Sequence, residues 1–559
     1  MIHRLRARLA LRRRGQILLS VIALLAAIPF TAEPLLLWLS ANDRLMLSVM
    51  TLAYGVPTVD DSGDPAPAQP ARAMLALDQT VARVDPKFLS FAVDTSQVVG
   101  GHWWSDEASV ELGKGANRTA PFDFDRPRLR LLAEALAPAY LRIGGTEADE
   151  VRYELGAEAS DAEDLVLTRG QVDSIAEFAS EAGLRLFMTV NAGPLDRRDG
   201  AWVGEQAERL MAYMGERSYP VDVWEFGNEA NVFWFTHGLG HHLSAAQYSK
   251  DLRRFSKLVQ GHFPAARVAA AGAFLQPVMG EPPPRMLPDL LPLLGSELDV
   301  LTWHYYPQQS RRCWSATRRA RTGLLLAPEH LSEFDRLSGY VNGLRDRHAA
   351  GAEVWLGETG GAQCGGEPGI SDRFESSLWW VDQLGRAARS GQPVVVRQTL
   401  AGAHYGMLDS RTLEPRPDYW ASLLWKRLMG ERVLAAQVER NERVRMYAHC
   451  TPRRAEVPAG SVTLLLLNLH PTQPVSVELA NVASQPAQLY AMTAPSLDSD
   501  SVALNGAPLQ LARGDRLPEL SGTDLQVDAE GDLTLAPASF AYLVLPEAAA
   551  EACGADVPA

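Results

Sequence analysis

The sequence predicts an α/β protein, a (β/α)8 TIM barrel with a C-terminal β-sandwich domain. Three observations carry that reading. Eight short apolar runs alternate with amphipathic helical stretches between residues 88 and 430, the pattern of a parallel sheet closed by eight repeats. Polar residues gather at the C-terminal ends of those runs, the face where barrel enzymes place their chemistry. Beyond residue 430 strand-like runs follow one another, separated by Gly, Pro, Asn and Asp clusters, as in a sandwich.

The chain has 559 residues, 47% hydrophobic and 21% charged, values that exclude a mainly disordered chain. Its formal charge is −14. Six arginines precede residue 15, and without them 47 basic residues face 67 acidic ones. That balance speaks against a nucleic-acid partner, which needs a basic footprint.

Along the chain, the Arg-rich start leads into an uncharged run from Gly15 to Ala32. A basic arm before an apolar run reads as an export signal or signal anchor, and the run is just long enough to span a bilayer. Residues 1–59 are therefore expected to hold a membrane anchor, with the arm cytoplasmic and the body exported; the alternative is secretion after cleavage. Residues 60–72 (DDSGDPAPAQPAR) read as a linker. Residues 73–87 hold an alternating segment, MLALDQTVARV, expected to join the sandwich. Residues 88–430 form the barrel and 431–555 the sandwich.

The eight runs are FLSFAVD (88–94), YLRIGG (140–145), RLFMTVNA (185–192), VDVWEFGNE (221–229), RVAAAG (267–272), VLTWHYY (300–306), EVWLGET (353–359) and PVVVRQTL (393–400). The helical stretches Arg169–Ala182 and Ser244–Gly261 lie between them. Sandwich strands are expected at 443–450, 461–469, 475–479, 488–491 and 540–545.

Polar residues at the strand ends include Asp94, Thr146, Asn191, Asn228, Glu229, His304, Glu358 and Gln398. Glu229 ends the fourth strand inside GNE, and Glu358 ends the seventh inside GET. Two carboxylates flanking a cleft suit glycoside hydrolysis, in which one protonates the leaving oxygen and the other attacks the anomeric carbon or activates water. Asn228 is suited to hold a sugar 2-hydroxyl. Trp224, Trp355 and Tyr306 lie alongside, and Trp103, Trp104, Trp234 and Trp314 lie on mouth loops where they could stack on sugar rings.

The segments WEFGNEANVFW (224–234) and VWLGETGGAQCGG (354–366) resemble the acid/base and nucleophile motifs of heparanases and related β-glucuronidases, glycoside hydrolase family seventy-nine. PAYLRIGGTEAD (138–149), LTWHYY (301–306), the run 371–398, LEPRPDYWASLLWKRLMG (413–430) and RMYAHC (445–450) match in order. The resemblance implies a retaining hydrolase of β-glucuronides, with Glu229 as acid/base and Glu358 as nucleophile. It implies that Tyr306 orients Glu358, and that Asp94, Thr146, Asn228 and Gln398 contact sugar hydroxyls. His304 joins them at the sixth strand end. It further implies that Tyr405 and the N–H groups of Gly365 and Gly366 read the uronic carboxylate, as main-chain N–H groups bind anions without a cation.

Four cysteines and no CxxC leave two disulfides or free buried thiols open, and give no structural zinc spacing. The resemblance pairs Cys450 with Cys553. Cys313 and Cys364 lie on neighbouring loops after the sixth and seventh strands, where a bridge across the cleft rim is expected. Arg311, Arg312, Arg318, Arg319 and Arg321 follow the sixth strand and read either as sulfate or carboxylate contacts or as a solvated loop paired with acids. Animal heparanases carry basic stretches and a long excised linker; 276–287 is nearly uncharged and no such insertion lies between Asp149 and Arg169.

The expected partner is a glucuronic-acid-containing oligo- or polysaccharide. No metal or organic cofactor is implied, since two carboxylates and water suffice. The alternatives are a barrel glycosidase for another sugar, or a non-hydrolytic cell-surface glycan-binding protein.

Overall fold

The computed structural model describes residues 67–104, 116–156, 165–275, 285–313, 318–453, 457–480, 482, 485–527 and 531–554. The expected anchor segment lies outside them. Among the described residues no helix is long and apolar enough to cross a membrane.

Eight parallel strands close into a barrel: Leu89–Asp94, Tyr140–Gly144, Arg185–Val190, Val221–Phe226, Arg267–Leu275, Val300–Tyr305, Glu353–Thr359 and Val395–Arg397. Each falls on one of the eight runs read from the sequence. Closure is made by the first strand, which pairs with both the second and the eighth. Alternation along the strands sorts their side chains. Ala92, Tyr140, Phe187, Val223, Ala269, Val300, Trp355 and Val396 share one apolar cluster inside the barrel. Their strand neighbours point outward, under the helices, into a larger cluster. Two residues further along the same inward rows come Asp94, Arg142, Thr189, Glu225, Thr302 and Gln398, so the barrel turns polar one layer above its apolar floor.

The helices begin where their caps dictate. Thr168 caps Arg169–Glu181 in a capping box with Gln171. Ser244 caps Ala245–His262, its hydroxyl accepting from the Gln247 N–H.

Ala71–Arg83 pairs with Arg432–Glu439 on one side and Val475–Ala480 on the other, so the segment ahead of the barrel belongs to the C-terminal sheet. It starts at Ala71, inside the stretch whose composition reads as linker. The sheet has eleven strands, ten along one hydrogen-bonded path and one, Thr523–Gln526, paired beside it with Pro486–Thr493. Val462–Asn468 lies at its centre and is buried throughout. Leu465 and Leu467 face the barrel cluster, while Val462, Leu464 and Leu466 join a second cluster with Ala73, Leu75, Val475 and Val477. A run with no polar alternation is thus a strand buried on both faces. The Cys450–Cys553 disulfide ties the strand Val444–Cys450 to the end of the domain.

Leu464→Ala and Leu465→Ala should each lower the unfolding free energy by about 2–5 kcal/mol, because each empties a buried site on one face of this strand. Denaturant unfolding measures both, and a negligible loss for either would mean that its face is not packed.

Candidate active site

The fourth strand ends at Phe226, and Gly227, Asn228 and Glu229 turn over the barrel mouth. Glu229 adopts a left-handed backbone, φ 53° and ψ 41°, uncommon for a residue with a side chain. The Asp149 carboxylate holds this turn. It accepts from the Asn228 N–H at 2.7 Å and the Ala192 N–H at 2.8 Å. Burial pushes Asp149 up to about 7.

Glu358 reaches the same space by a different device. The register between the sixth and seventh strands passes from Trp303 opposite Leu356 to His304 opposite Glu358. Gly357 is therefore an extra residue, a bulge that re-aims the following side chain. The Tyr306 hydroxyl donates to Glu358 Oε1 at 2.7 Å, and Arg142 Nη1 donates to Oε2 at 2.8 Å.

Arg142 was absent from the candidates read off the sequence, although it stands within YLRIGG. It is fully buried in the barrel. Its Nε and Nη2 donate to Glu225 Oε2 at 3.0 and 2.8 Å, and Nη2 also to Asn228 Oδ1 at 2.9 Å. Thr189 and Thr302 donate to Glu225 at 2.7 Å each. Despite burial, Arg142 and these hydroxyls hold Glu225 below the ordinary carboxylate range. Inward-facing position was the signal for Arg142 and Glu225, at i+2 from Tyr140 and Val223.

His304 Nδ1 lies 3.0 Å from Glu229 Oε1. Burial holds the imidazole below its usual range, with the Arg142 charge adding to the effect. Glu229 is raised, by burial first and by the Glu358 charge, against the opposing pull of His304. One ligand atom each from Glu229, His304 and Glu358 lie within 4.8 Å of one another. That trio could offer atoms to a cation, but the Arg142 guanidinium already sits at 2.8 Å from Glu358, which disfavours a second positive charge there.

The sugar-contact candidates gather around this pair. Asp94 accepts from the Ser96 N–H at 3.0 Å and from Gln398 Nε2 at 2.9 Å. Burial and the Glu358 charge push it up to about 7. Thr146 follows Gly145, where an added Cβ would lie 2.1 Å from Asp94 Oδ2. Tyr306 and Tyr405 stack at 6.3 Å, and Trp103 stands 6.3 Å from Tyr405. Gly365 and Gly366 take φ of 81° and 79°. An added Cβ at Gly365 would lie 2.3 Å from Trp104 Cβ, and at Gly366 2.6 Å from the Tyr405 nitrogen. Trp355 and Trp224 belong instead to the core: Trp355 to the barrel floor, and Trp224 to an outer contact with Phe263 at 5.2 Å. Trp234 packs on Phe235 at 5.8 Å. Trp314 and residues 276–284 lie outside the described residues.

The arginines after the sixth strand do not form one cationic patch. Arg318 is buried on Glu333 at 2.6 Å, and Arg319 Nη1 donates to the Ser310 carbonyl at 3.1 Å. Arg312 is buried beside Gly365. Arg311 Nε donates to Glu367 at 2.5 Å while its side chain stays 61% exposed. Arg321 is half-buried. The Cys313–Cys364 disulfide joins this loop to the one after the seventh strand.

Residues 75–385 match the family model described as glycosyl hydrolase family 79, N-terminal domain. The chain is 31% identical to heparanase from Gallus gallus over 565 residues, covering 91% of this chain and all of that protein. The chain belongs to glycosyl hydrolase family 79. It is a glycoside hydrolase by family. A GH51 arabinofuranosidase from Xanthomonas axonopodis pv. citri shares the fold, with a TM-score of 0.60 at 15% identity over 85% of this chain and 99% of its own. Another relative is named inactive heparanase-2, from Mus musculus, 29% identical over 70% of this chain and 66% of its own. Likeness to heparanases therefore does not by itself carry turnover, and the site residues must.

Arg142→Met should destabilise the protein by about 3–5 kcal/mol, because it strands the Glu225 charge in the barrel. The double variant Arg142→Met/Glu225→Met should recover much of that loss. Chemical denaturation of the two variants checks both.

Proposed function

We propose that this protein is a retaining β-glucuronidase of heparanase type, exported and acting on glucuronic-acid-containing glycans. The observation that carries the reading is the opposed pair Glu229 and Glu358. Oxygen atoms of the two approach within 4.8 Å, nearer the carboxyl separation of about 5–5.5 Å that suits a covalent intermediate than the wider spacing of about 6.5–9.5 Å that suits direct attack by water. Their surroundings differ as the two roles require. Glu229 is pushed toward its protonated form by burial. Glu358 is held in place by two donors, Arg142 and Tyr306.

In the first step Glu229 gives its proton to the glycosidic oxygen as Glu358 attacks the anomeric carbon. The aglycone leaves as an alcohol, and the sugar stays as an ester on Glu358. Glu229, now ionised, takes a proton from water, whose oxygen attacks the same carbon. Glu358 departs as a carboxylate and Glu229 is again protonated. The His304 ring beside Glu229, itself held below its usual range by burial, opposes the rise of Glu229 without reversing it.

The uronate preference rests on Gly365, Gly366 and Tyr405. Among the described residues, neither the Gly365 nor the Gly366 N–H has an acceptor. Successive left-handed glycines make a concave set of N–H groups suited to an anion. Export is supported by the two disulfides, which persist in oxidising compartments. The Arg-rich start and apolar run from Gly15 to Ala32 would anchor the protein to the membrane.

Glu358→Gln should abolish hydrolysis of a chromogenic β-glucuronide. A 2-fluoro-glucuronide should add one sugar mass to wild type at Glu358, and an intact mass without adduct would overturn the retaining route. Glu229 is raised, so it stays protonated to higher pH and activity should fall as pH rises through its titration. Glu229→Gln should lose that basic limb and cost about 10²–10⁴-fold in kcat/KM on a poor leaving group. A basic limb that persists in the variant would assign the acid elsewhere. Tyr405→Phe should reduce preference for a glucuronide over the matching glucoside; unchanged preference would remove Tyr405 from the carboxylate site.

A further inference from the structure

Gly365 and Gly366 can present their N–H groups to a carboxylate only while the chain around them holds still. Both lie in left-handed conformations against rigid neighbours, Trp104 on one side and the Tyr405 backbone on the other. Two glycines in sequence also leave the chain more conformational freedom to lose than any other pair. Something outside the pair must supply the restraint.

The structure places a restraint on each side of it. Immediately before the pair, Cys364 is bonded to Cys313 of the neighbouring loop. The Ser310 N–H donates to the Gln363 carbonyl at 3.2 Å, and the Gln363 N–H to the Gln308 carbonyl at 2.9 Å. Immediately after it, Glu367 is buried at 1% exposure. Its carboxylate accepts from the Ser310 hydroxyl at 2.9 Å, the Arg311 N–H at 2.8 Å and Arg311 Nε at 2.5 Å. Its own N–H donates to the Ser371 hydroxyl at 2.9 Å. One covalent and one ionic stitch thus bind the same two loops, with the glycine pair between them.

Neither family motif explains Glu367, and a buried carboxylate is an odd neighbour for an anion subsite. Its charge would repel a uronate unless it were neutralised. Arg311 provides that neutralisation while staying largely in solvent.

We propose that Glu367 is a positioning residue for the uronate carboxylate: paired with Arg311 and backed by the Cys313–Cys364 disulfide, it holds Gly365–Gly366 in the backbone geometry that binds the anion. The inference rests on the uronide reading above. It predicts a defect in binding an acidic sugar and not in bond cleavage, since Glu367 touches neither Glu229 nor Glu358.

The test compares wild type with Glu367→Gln, with Cys313→Ser/Cys364→Ser, and with Arg311→Gln. KM and kcat are measured on an aryl β-glucuronide, and Ki for its neutral 6-carboxamide analogue. Glu367→Gln and the double serine variant should each raise the glucuronide KM about tenfold, with kcat and the carboxamide Ki within about threefold of wild type, the signature of lost ground-state binding. Arg311→Gln alters an exposed side chain and leaves Glu367 uncompensated. It should raise the glucuronide KM, and added salt should partly reverse the rise. An unchanged KM in variants that melt like wild type would overturn the proposal. So would an equal loss for the acid and the amide, which would make Glu367 merely structural. Should the first two variants not fold, the salt-dependent KM of Arg311→Gln decides it. The uronide reading fails separately, if wild type itself does not distinguish acid from amide.

Discussion

A fully buried arginine in the barrel is the constraint on which the site depends. Taking Arg142 and its partners out of water costs several kcal/mol per ion, and only close, well-aligned pairing offsets that cost. Arg142 therefore needs Glu225, and Glu225 needs the Thr189 and Thr302 hydroxyls to satisfy its remaining lone pairs. Once that layer is complete, two of the donors point upward, one to Glu358 and one to Asn228. The ionic layer stands on an apolar floor of Tyr140, Phe187, Val223 and Trp355, which keeps water from reaching it from below. Polar chemistry at the mouth is thus set by a charge balance one layer deeper.

Above that layer, the two key carboxylates are delivered by departures from regular strand geometry. Glu229 sits in a left-handed conformation just past its strand, and Glu358 follows a bulge at Gly357. Such departures carry a cost and persist where surrounding contacts over-determine them. Asp149 supplies those contacts for the first turn, by accepting two backbone N–H groups. Tyr306 and Arg142 supply them for the second. These two irregularities bring the carboxylates together at the mouth and give them unlike environments, one raised by burial and one braced by donors.

The cleft rim follows a similar economy of charge. Arginines that look like a basic patch in the sequence are consumed by the fold, Arg318 by Glu333, Arg319 by the Ser310 carbonyl and Arg311 by Glu367. A loop that must leave the barrel, cross its mouth and return cannot satisfy its own backbone in regular ladders. Arginine, with five donors in a planar fork, closes those gaps well. The charge that remains outward is smaller than composition implies, in keeping with a chain whose overall balance is acidic.

The sequence by itself determined the eight strands and their order, and it set Glu229 and Glu358 near the ends of two of them. These depend on short-range patterns: apolar runs separated by helical stretches, and a Glu close to a strand's end. It did not expose Arg142, Glu225 or Asp149, whose partners lie far away along the chain; Arg142 and Glu358 are 216 residues apart. Nor did it show the strand Arg432–Glu439, which is half-exposed and so lacks a clean apolar period. Tertiary structure alone decided which arginines stay in solvent, which tryptophans belong to the core and how a bulge turns Glu358 inward. The physical reason is the same in each case. Burial and charge pairing are properties of position in space, and residues of one type read alike in sequence until the barrel closes and gives each a different neighbour.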